Sequence, residues 1–280
     1  MARSTQIMGI LNVTPDSFWE RSRAATVDAA LDVARAMELA GADWIDVGGE
    51  STGPDSSDVS LEEEVRRVLP VVTALVAHCT VPVSVDTTKA EVARRALLAG
   101  ARMINDVSAL RGDEDMAGVM ALSGVPVVLM YAKDPTPRTS RRDVIYDDVL
   151  DTIGEFLRER IAYALDKGIP RNRILIDPGM GWFVGADPKY SYEILHGLER
   201  VRSLGYPVVI GPSRKSFLGS GGDRAPRLAA DRLMPTAAAV AMAAWLGADI
   251  IRVHDVEAMV QVVDTIESIK HPERAAKART

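Results

Sequence analysis

Polar residues recur at or just past the C-terminal end of one short apolar run after another: Asn12, Asp46, Asp86, Asn105, Tyr131 with Lys133, Asp177, Lys215, and Arg252 with His254. One such residue is explained by a loop cap or a salt bridge. The whole set is not, because each buried group left without a partner costs about 1–3 kcal/mol. The set divides by chemistry. Asp86, Asn105 and Asp177 supply acceptors and an amide. A carboxylate accepting two parallel N–H bonds matches a planar, amidine-like edge, such as the 2-amino-4-oxo edge of a pterin or guanine. Lys215, Arg252 and His254 supply donors, and two-residue spacing on a strand points Arg252 and His254 to one side. With Ser213 and Arg214 they suit a phosphate or diphosphate. Asn12 offers a neutral oxygen to Mg²⁺, which binds diphosphate readily and keeps most of its waters. The ligand implied is a planar heterocycle carrying a polyphosphate.

The elements that must position these groups alternate between two kinds. Apolar runs at Ile7–Val13, Asp43–Gly48, Val83–Asp86, Met103–Val107, Val125–Met130, Ile174–Asp177, Val208–Gly211 and Ile250–His254 read as strands buried on both faces. Amphipathic stretches follow each one: Val27–Leu39, Leu61–Val76, Ala90–Leu98, Asp115–Leu122, Val144–Asp166, Tyr192–Ser203, Thr236–Leu246 and Val256–Ile269. Gly41, Gly100 and Gly247 suit helix C-caps just before strands, and Ser60 with Glu63 suits a capping box. Eight such units in about 250 residues predict a single-domain (β/α)8 TIM barrel. A doubly wound open sheet is the alternative, but the first strand lacks a glycine-rich phosphate fingerprint. The longest loops, 50–60, 132–143 and 218–231, fall after strands two, five and seven, at the barrel mouth.

The 280 residues carry a net charge of -6, which disfavours nucleic acid as a partner. The single cysteine, Cys79, allows no intrachain disulfide and fits a reducing cytoplasm. No run approaches the roughly 20 apolar residues of a membrane span. Ile7–Val13 is too short for a signal sequence, so a cytoplasmic location is expected. The Ala-rich run Ala237–Leu246 reads as a buried or dimer-facing helix.

Seven motifs then fall into register with one family. MGILNVTPDSF at 8–18, DVGGEST at 46–52, SVDTTK at 84–89, INDVSAL at 104–110, DPGMG at 177–181, SRKSFLG at 213–219 and RVHDV at 252–256 resemble, in order, those of the dihydropteroate synthases. The resemblance implies a TIM barrel, here residues 1–272, and a homodimer packed through the last helices; the run Glu273–Thr280 reads from its own residues as a solvated, flexible tail. It implies condensation of 6-hydroxymethyl-7,8-dihydropterin pyrophosphate with p-aminobenzoate, with Mg²⁺. By residue, it implies that Asn12 ligates Mg²⁺ and joins Arg252 and His254 on the pyrophosphate. Asp86, Asn105, Met130, Asp177 and Lys215 would bind the pterin. Thr52, Ser213, Arg214 and the loop carrying Trp182 and Phe183 would surround p-aminobenzoate. Lys215, Arg252, His254 and Asp86 are the expected catalytic groups. The amine is neutral at pH 7, so the difficulty lies in expelling pyrophosphate, and an SN1-like path follows.

Four departures from the family pattern stand out. Gly53 follows Thr52 where the family carries arginine, and Tyr131 follows Met130 where it carries histidine. Trp19, Glu20 and Arg21 replace a smaller first-loop sequence. The turn after the sixth strand is lengthened to Gly181-Trp182-Phe183-Val184-Gly185-Ala186-Asp187. The last two resemble sulfonamide-insensitive synthases, and bulk at Trp182 or Phe183 would clash with a drug's outward substituent. Two other readings are a pterin-dependent methyltransferase, which does not need the Ser-Arg-Lys and Arg-Val-His cluster, and a non-catalytic pterin-binding paralogue. The latter predicts losses among Asn12, Asp86, Asp177, Lys215, Arg252 and His254, and none is lost.

Overall fold

The computed structural model describes residues 3–14, 26–54, 56–136, 138–220 and 226–275. Strands β1 (Gln6–Asn12), β2 (Trp44–Gly48), β3 (Val83–Asp86), β4 (Met103–Asp106), β5 (Val127–Met130), β6 (Ile174–Asp177), β7 (Val209–Ile210) and β8 (Ile250–Val253) are all parallel. Their order is β6-β5-β4-β3-β2-β1-β8-β7. The ring closes where Ile176 pairs with Val208 and Ile176 N donates to Pro207 O at 3.0 Å. This is the single-domain (β/α)8 barrel the sequence predicts.

Side-chain alternation along each strand sorts the core into two layers. Outward residues such as Ile45, Val47, Val83, Val85, Leu129 and Ile176 join the large cluster packed under the helices. Inward residues at the N-terminal end form a separate plug of Met8, Met103, Val128, Leu175, Val209 and Ile250, with Trp44 against it. Two residues further along, the inward positions change character: Trp44 gives way to Asp46, Met103 to Asn105, Leu175 to Asp177 and Ile250 to Arg252. The same period that packs the barrel therefore lifts its polar groups onto one platform.

The helices are α1 (Val27–Leu39), α2 (Leu61–His78), α3 (Ala90–Leu98), α4 (Met116–Ser123), α5 (Val149–Asp166), α6 (Pro188–His196), α7 (Leu198–Arg202), α8 (Leu233–Trp245), α9 (Val256–Lys270) and α10 (Pro272–Ala275). Ser60 caps α2 by accepting from Glu63 N at 3.2 Å. The return bond of a capping box does not form, because the Glu63 carboxylate pairs with Arg66 and Arg67. Gly41, Gly100 and Gly247 have φ of 91°, 106° and 86°, the left-handed backbone a helix end uses.

Two expectations need correcting. The fifth helix starts at Val149 rather than Val144, because Asp148 caps it by accepting from Asp151 N at 2.9 Å. The predicted helix Tyr192–Ser203 is two helices meeting at Gly197, and the first begins earlier, with Asp187 as cap and Pro188 in its first turn. The expected tail from residue 273 overlaps the end of α10, and its residues 276–280 lie outside the described residues. No helix among the described residues is long and apolar enough to cross a membrane.

Candidate active site

Above the polar platform lies a cavity of about 700 Å³. Every residue to which the resemblance gives a role borders it: Asn12, Thr52, Asp86, Asn105, Met130, Asp177, Trp182, Phe183, Ser213, Arg214, Lys215, Arg252 and His254. The first loop's Trp19, Glu20 and Arg21 lie outside the described residues.

Arg252 organises the floor. Its Nε donates to Asp46 Oδ2 at 2.6 Å and its Nη2 to Asp86 Oδ2 at 2.8 Å. Asn105 Nδ2 donates to the same Asp46 oxygen at 3.1 Å. Asp46 is fully buried, and its Oδ1 has no hydrogen-bond partner among the described residues. Burial opposes the Arg252 cation, but Asp46 and Asp86 outweigh it and hold the guanidinium above its ordinary pKa. Across the cavity, Asp177 Oδ1 accepts from Gly179 N at 2.7 Å. Gly179 has a φ of 69°, and a Cβ there would lie 2.4 Å from Tyr131 O, so glycine is required for this turn.

Burial shifts the titration of the floor groups. Burial pushes the Asp86 carboxyl up to about 7, with Arg252 pulling it back and Asp46 adding to the rise. Burial likewise raises Asp177 to about 6 against the pull of Lys215. It lowers the Lys215 ammonium to about 8, although Asp177 favours the cation. His254 is pushed down to about 3 by burial and by the cations Arg252, Arg214 and Lys215. Its ring is therefore neutral at pH 7, and it donates or accepts single hydrogen bonds there. Ser213 Oγ lies 2.9 Å from His254 Nδ1 and accepts from His254 N at 3.1 Å.

Three residues behave differently from the sequence reading. Tyr131 and Lys133 were placed among the strand-end groups, yet neither borders the cavity. Met130 takes the inward position, so Tyr131 turns outward. Its ring packs edge-on to Phe156 at 5.1 Å, and its hydroxyl lies 3.0 Å from that of Tyr146. Lys133 is buried against Asp134 at 2.7 Å. Arg214 borders the cavity, but its guanidinium is held by Asp255 at 2.6 and 2.7 Å and by the carbonyls of Ala229 and Ala230. It braces the loop, with a positive φ of 55°.

The sequence reading also left out residues that the structure brings in. Asp46 stood in the strand-end set but was given no role, and Thr139, Ser216 and Arg232 border the cavity. Asp46 shares its alternation with Gly48, which was a usable signal. Thr139 lies on a loop, and Ser216 and Arg232 lie in single 3-10 turns too short for a period to mark them.

The profile of the pterin binding enzymes matches residues 8–254. A dihydropteroate synthase of Streptococcus pyogenes serotype M6 is 42% identical over 265 residues, which cover 94% of this chain and 95% of that one. The chain belongs to the dihydropteroate synthases. A solved Xanthomonas albilineans synthase, described with 4-aminobenzoic acid, superposes with a TM-score of 0.86 at 42% identity, covering 95% of this chain and 93% of the other. A Haloferax volcanii protein named as a probable bifunctional folylpolyglutamate synthase/dihydropteroate synthase is 42% identical over 270 residues, and the chain spans 31% of its length. The activity is accordingly that of a transferase in folate biosynthesis.

Proposed function

We propose that this synthase divides its two substrates between floor and rim. The observation that carries this reading is the buried Asp46–Arg252–Asp86 bridge facing Asp177 and Lys215. Asp177 and Asp86 accept from the N–H edge of the dihydropterin, Asn105 and Lys215 complete its polar contacts, and Met130 covers a ring face. Met130 packs with Val107, Ala132 and Phe183, which fits an apolar lid over a heterocycle. Arg252, His254 and Lys215 line the diphosphate end. With Ser213 Oγ accepting from His254 N, its proton is free for Nδ1. This leaves the His254 proton on Nε2 as a neutral donor to the leaving oxygen.

Among the described residues no group of three or more His, Cys, Asp or Glu is arranged to hold a metal. Asn12, which borders the cavity at the end of β1, would offer one neutral oxygen to a Mg²⁺ carried by the diphosphate. Such an ion would add positive charge beside the leaving group. The C–O bond to diphosphate breaks first, with its electron pair leaving on oxygen, and carboxylates around the ring stabilise the cationic methylene. The neutral amine of p-aminobenzoate then forms the C–N bond and releases a proton to solvent or product diphosphate.

The rim receives p-aminobenzoate between Thr52 and Ser213 on one side and Trp182–Phe183 on the other. Phe183 stands over Lys215 with its centroid 5.5 Å from Nζ, and Arg141 stacks on Trp182 at 5.2 Å. Bulk held there rejects a sulfonamide while sparing the smaller substrate, a discrimination by added repulsion. Exposed Met234, Met242 and Trp245 on α8 and Ile269 on α9 offer an apolar face to a second copy of the chain, as a homodimer requires. A cytoplasmic location agrees with the single unpaired cysteine.

Diphosphate release by purified protein with the pterin diphosphate, Mg²⁺ and p-aminobenzoate tests the reading. Turnover is expected to survive sulfamethoxazole, and the Trp182→Ala/Phe183→Ala protein should become sensitive by at least about tenfold in Ki. Equal inhibition of both proteins removes the rim reading, and pterin binding without turnover removes the synthase mechanism.

A further inference from the structure

The segment after β5, residues 131–148, holds three successive carbonyls of the loop after β6. Thr139 Oγ1 donates to Trp182 O at 2.8 Å, Lys133 N to Phe183 O at 2.9 Å and the Tyr146 hydroxyl to Val184 O at 2.6 Å. The same segment grips the loop after β2. Thr139 N donates to Thr52 O at 3.1 Å, and Arg138 reaches Ser56 Oγ at 2.8 Å and Glu50 Oε1 at 2.9 Å and pairs with Asp58. Thr139 thus bonds to both walls at once. It is 3% exposed and borders the cavity itself.

The hydroxyl of Thr139 has a single proton, and two acceptors lie in range: Trp182 O at 2.8 Å and Asp134 Oδ2 at 3.2 Å. Asp134 Oδ2 already accepts from Lys133 Nζ at 2.7 Å and Ser140 N at 2.8 Å. Lys133 Nζ also donates to Thr139 Oγ1 at 3.1 Å and fills a lone pair. The proton is therefore directed at the Trp182 carbonyl, and the buried Lys133–Asp134 pair fixes the rotamer that aims it.

We propose that Thr139 is a positioning residue that sets amine specificity, by fixing the gap between Thr52 and the Trp182–Phe183 wall. The proposal rests on reading those walls as the p-aminobenzoate end. A wall held at two points admits a flat benzoate and excludes a larger group. A wall released from one point loses contact with the small substrate and yields to the large one. Substrate and drug then respond in opposite directions.

Thr139→Val removes the hydroxyl and keeps both the shape and the backbone N–H. The KM for p-aminobenzoate should rise about tenfold, as expected when a carbonyl loses its donor, while the Ki for sulfamethoxazole falls about fivefold. Binding of the pterin diphosphate without amine should stay within about twofold, and Thr139→Ser should restore all three values. General loosening of the protein would weaken substrate and drug together. That result overturns the proposal, as does an unchanged KM and Ki, or an equal loss at the pterin end. Thr139→Ala carries the same comparison if the valine protein does not fold. Trp182→Ala/Phe183→Ala separates the two readings. If it alters neither amine KM nor drug Ki, the assignment of the wall has failed. If it alters both while Thr139→Val alters neither, only the role of Thr139 has failed.

Discussion

The floor and the rim of the cavity are built by different means. The floor is made of strand residues whose placement follows from a period of two: Asp46, Asp86, Asn105, Asp177 and Arg252 all stand one inward step above the apolar plug or its equivalent level. Asp46, Asp86, Asn105 and Arg252 are bonded to one another, and Asp177 is held by the Gly179 N–H, so none can move without leaving a partner unsatisfied. The rim is made of loops whose contacts are mostly to carbonyls: Thr139 to Trp182, Lys133 to Phe183, and Tyr146 to Val184. On the proposed reading, chemistry that must be the same at every turnover sits on the first, and discrimination between similar amines on the second, where insertion and substitution are tolerated.

The largest effect should come from the floor's central cation. Arg252→Ala leaves Asp46 and Asp86 facing each other without a charge between them. Removing one partner of a buried pair costs about 3–5 kcal/mol, and the loss should appear as a lower unfolding free energy in denaturant titration. The kcat/KM for the pterin diphosphate should fall by roughly 10³ or more, since transition-state charge stabilisation goes with it. A loss below about threefold in both would show that the bridge is not the centre of the site.

A smaller effect tests the charge state of the floor. Asp177 and Asp86 can accept two parallel N–H bonds only as carboxylates, and burial raises them to about 6 and about 7. Because these values are raised, the binding form is present above them and is lost as pH falls through the range. Lys215 is lowered to about 8, so its cation is present below that value and is lost as pH rises through it. The profile of kcat/KM in pterin diphosphate should be a bell with limbs between 6 and 7 and near 8, belonging to the cluster as a whole. His254, held down at about 3, should add no limb near neutrality. A flat profile from pH 5 to 9 would break this assignment.

The contrast also explains what could be read from the sequence. Strand and helix periods revealed the barrel, and strand ends revealed the floor, because hydrophobic alternation and polar termination are local signals. Tyr131 shows the limit of that rule. It stands at a strand end, but the odd step turns it to the helix layer, and only the parity of Met130 could have shown this. Arg214 shows another limit, because its partner Asp255 lies 41 residues away and no spacing links them. The rim was seen only as lengthened loops, since which carbonyl Thr139 meets depends on how two loops pack.

On the proposed mechanism the floor side of the cavity, with Mg²⁺ on the diphosphate, ionises the pterin substrate, and the rim only receives the amine. Its most direct test is positional isotope exchange with the bridging oxygen of the pterin diphosphate labelled, run with Mg²⁺ and without p-aminobenzoate. The account predicts that the label scrambles into non-bridging positions, and that Asp177→Ala abolishes the scrambling while Trp182→Ala/Phe183→Ala retains it. Full turnover with amine present, but no scrambling in its absence, would contradict the account and make the amine part of the bond-breaking step.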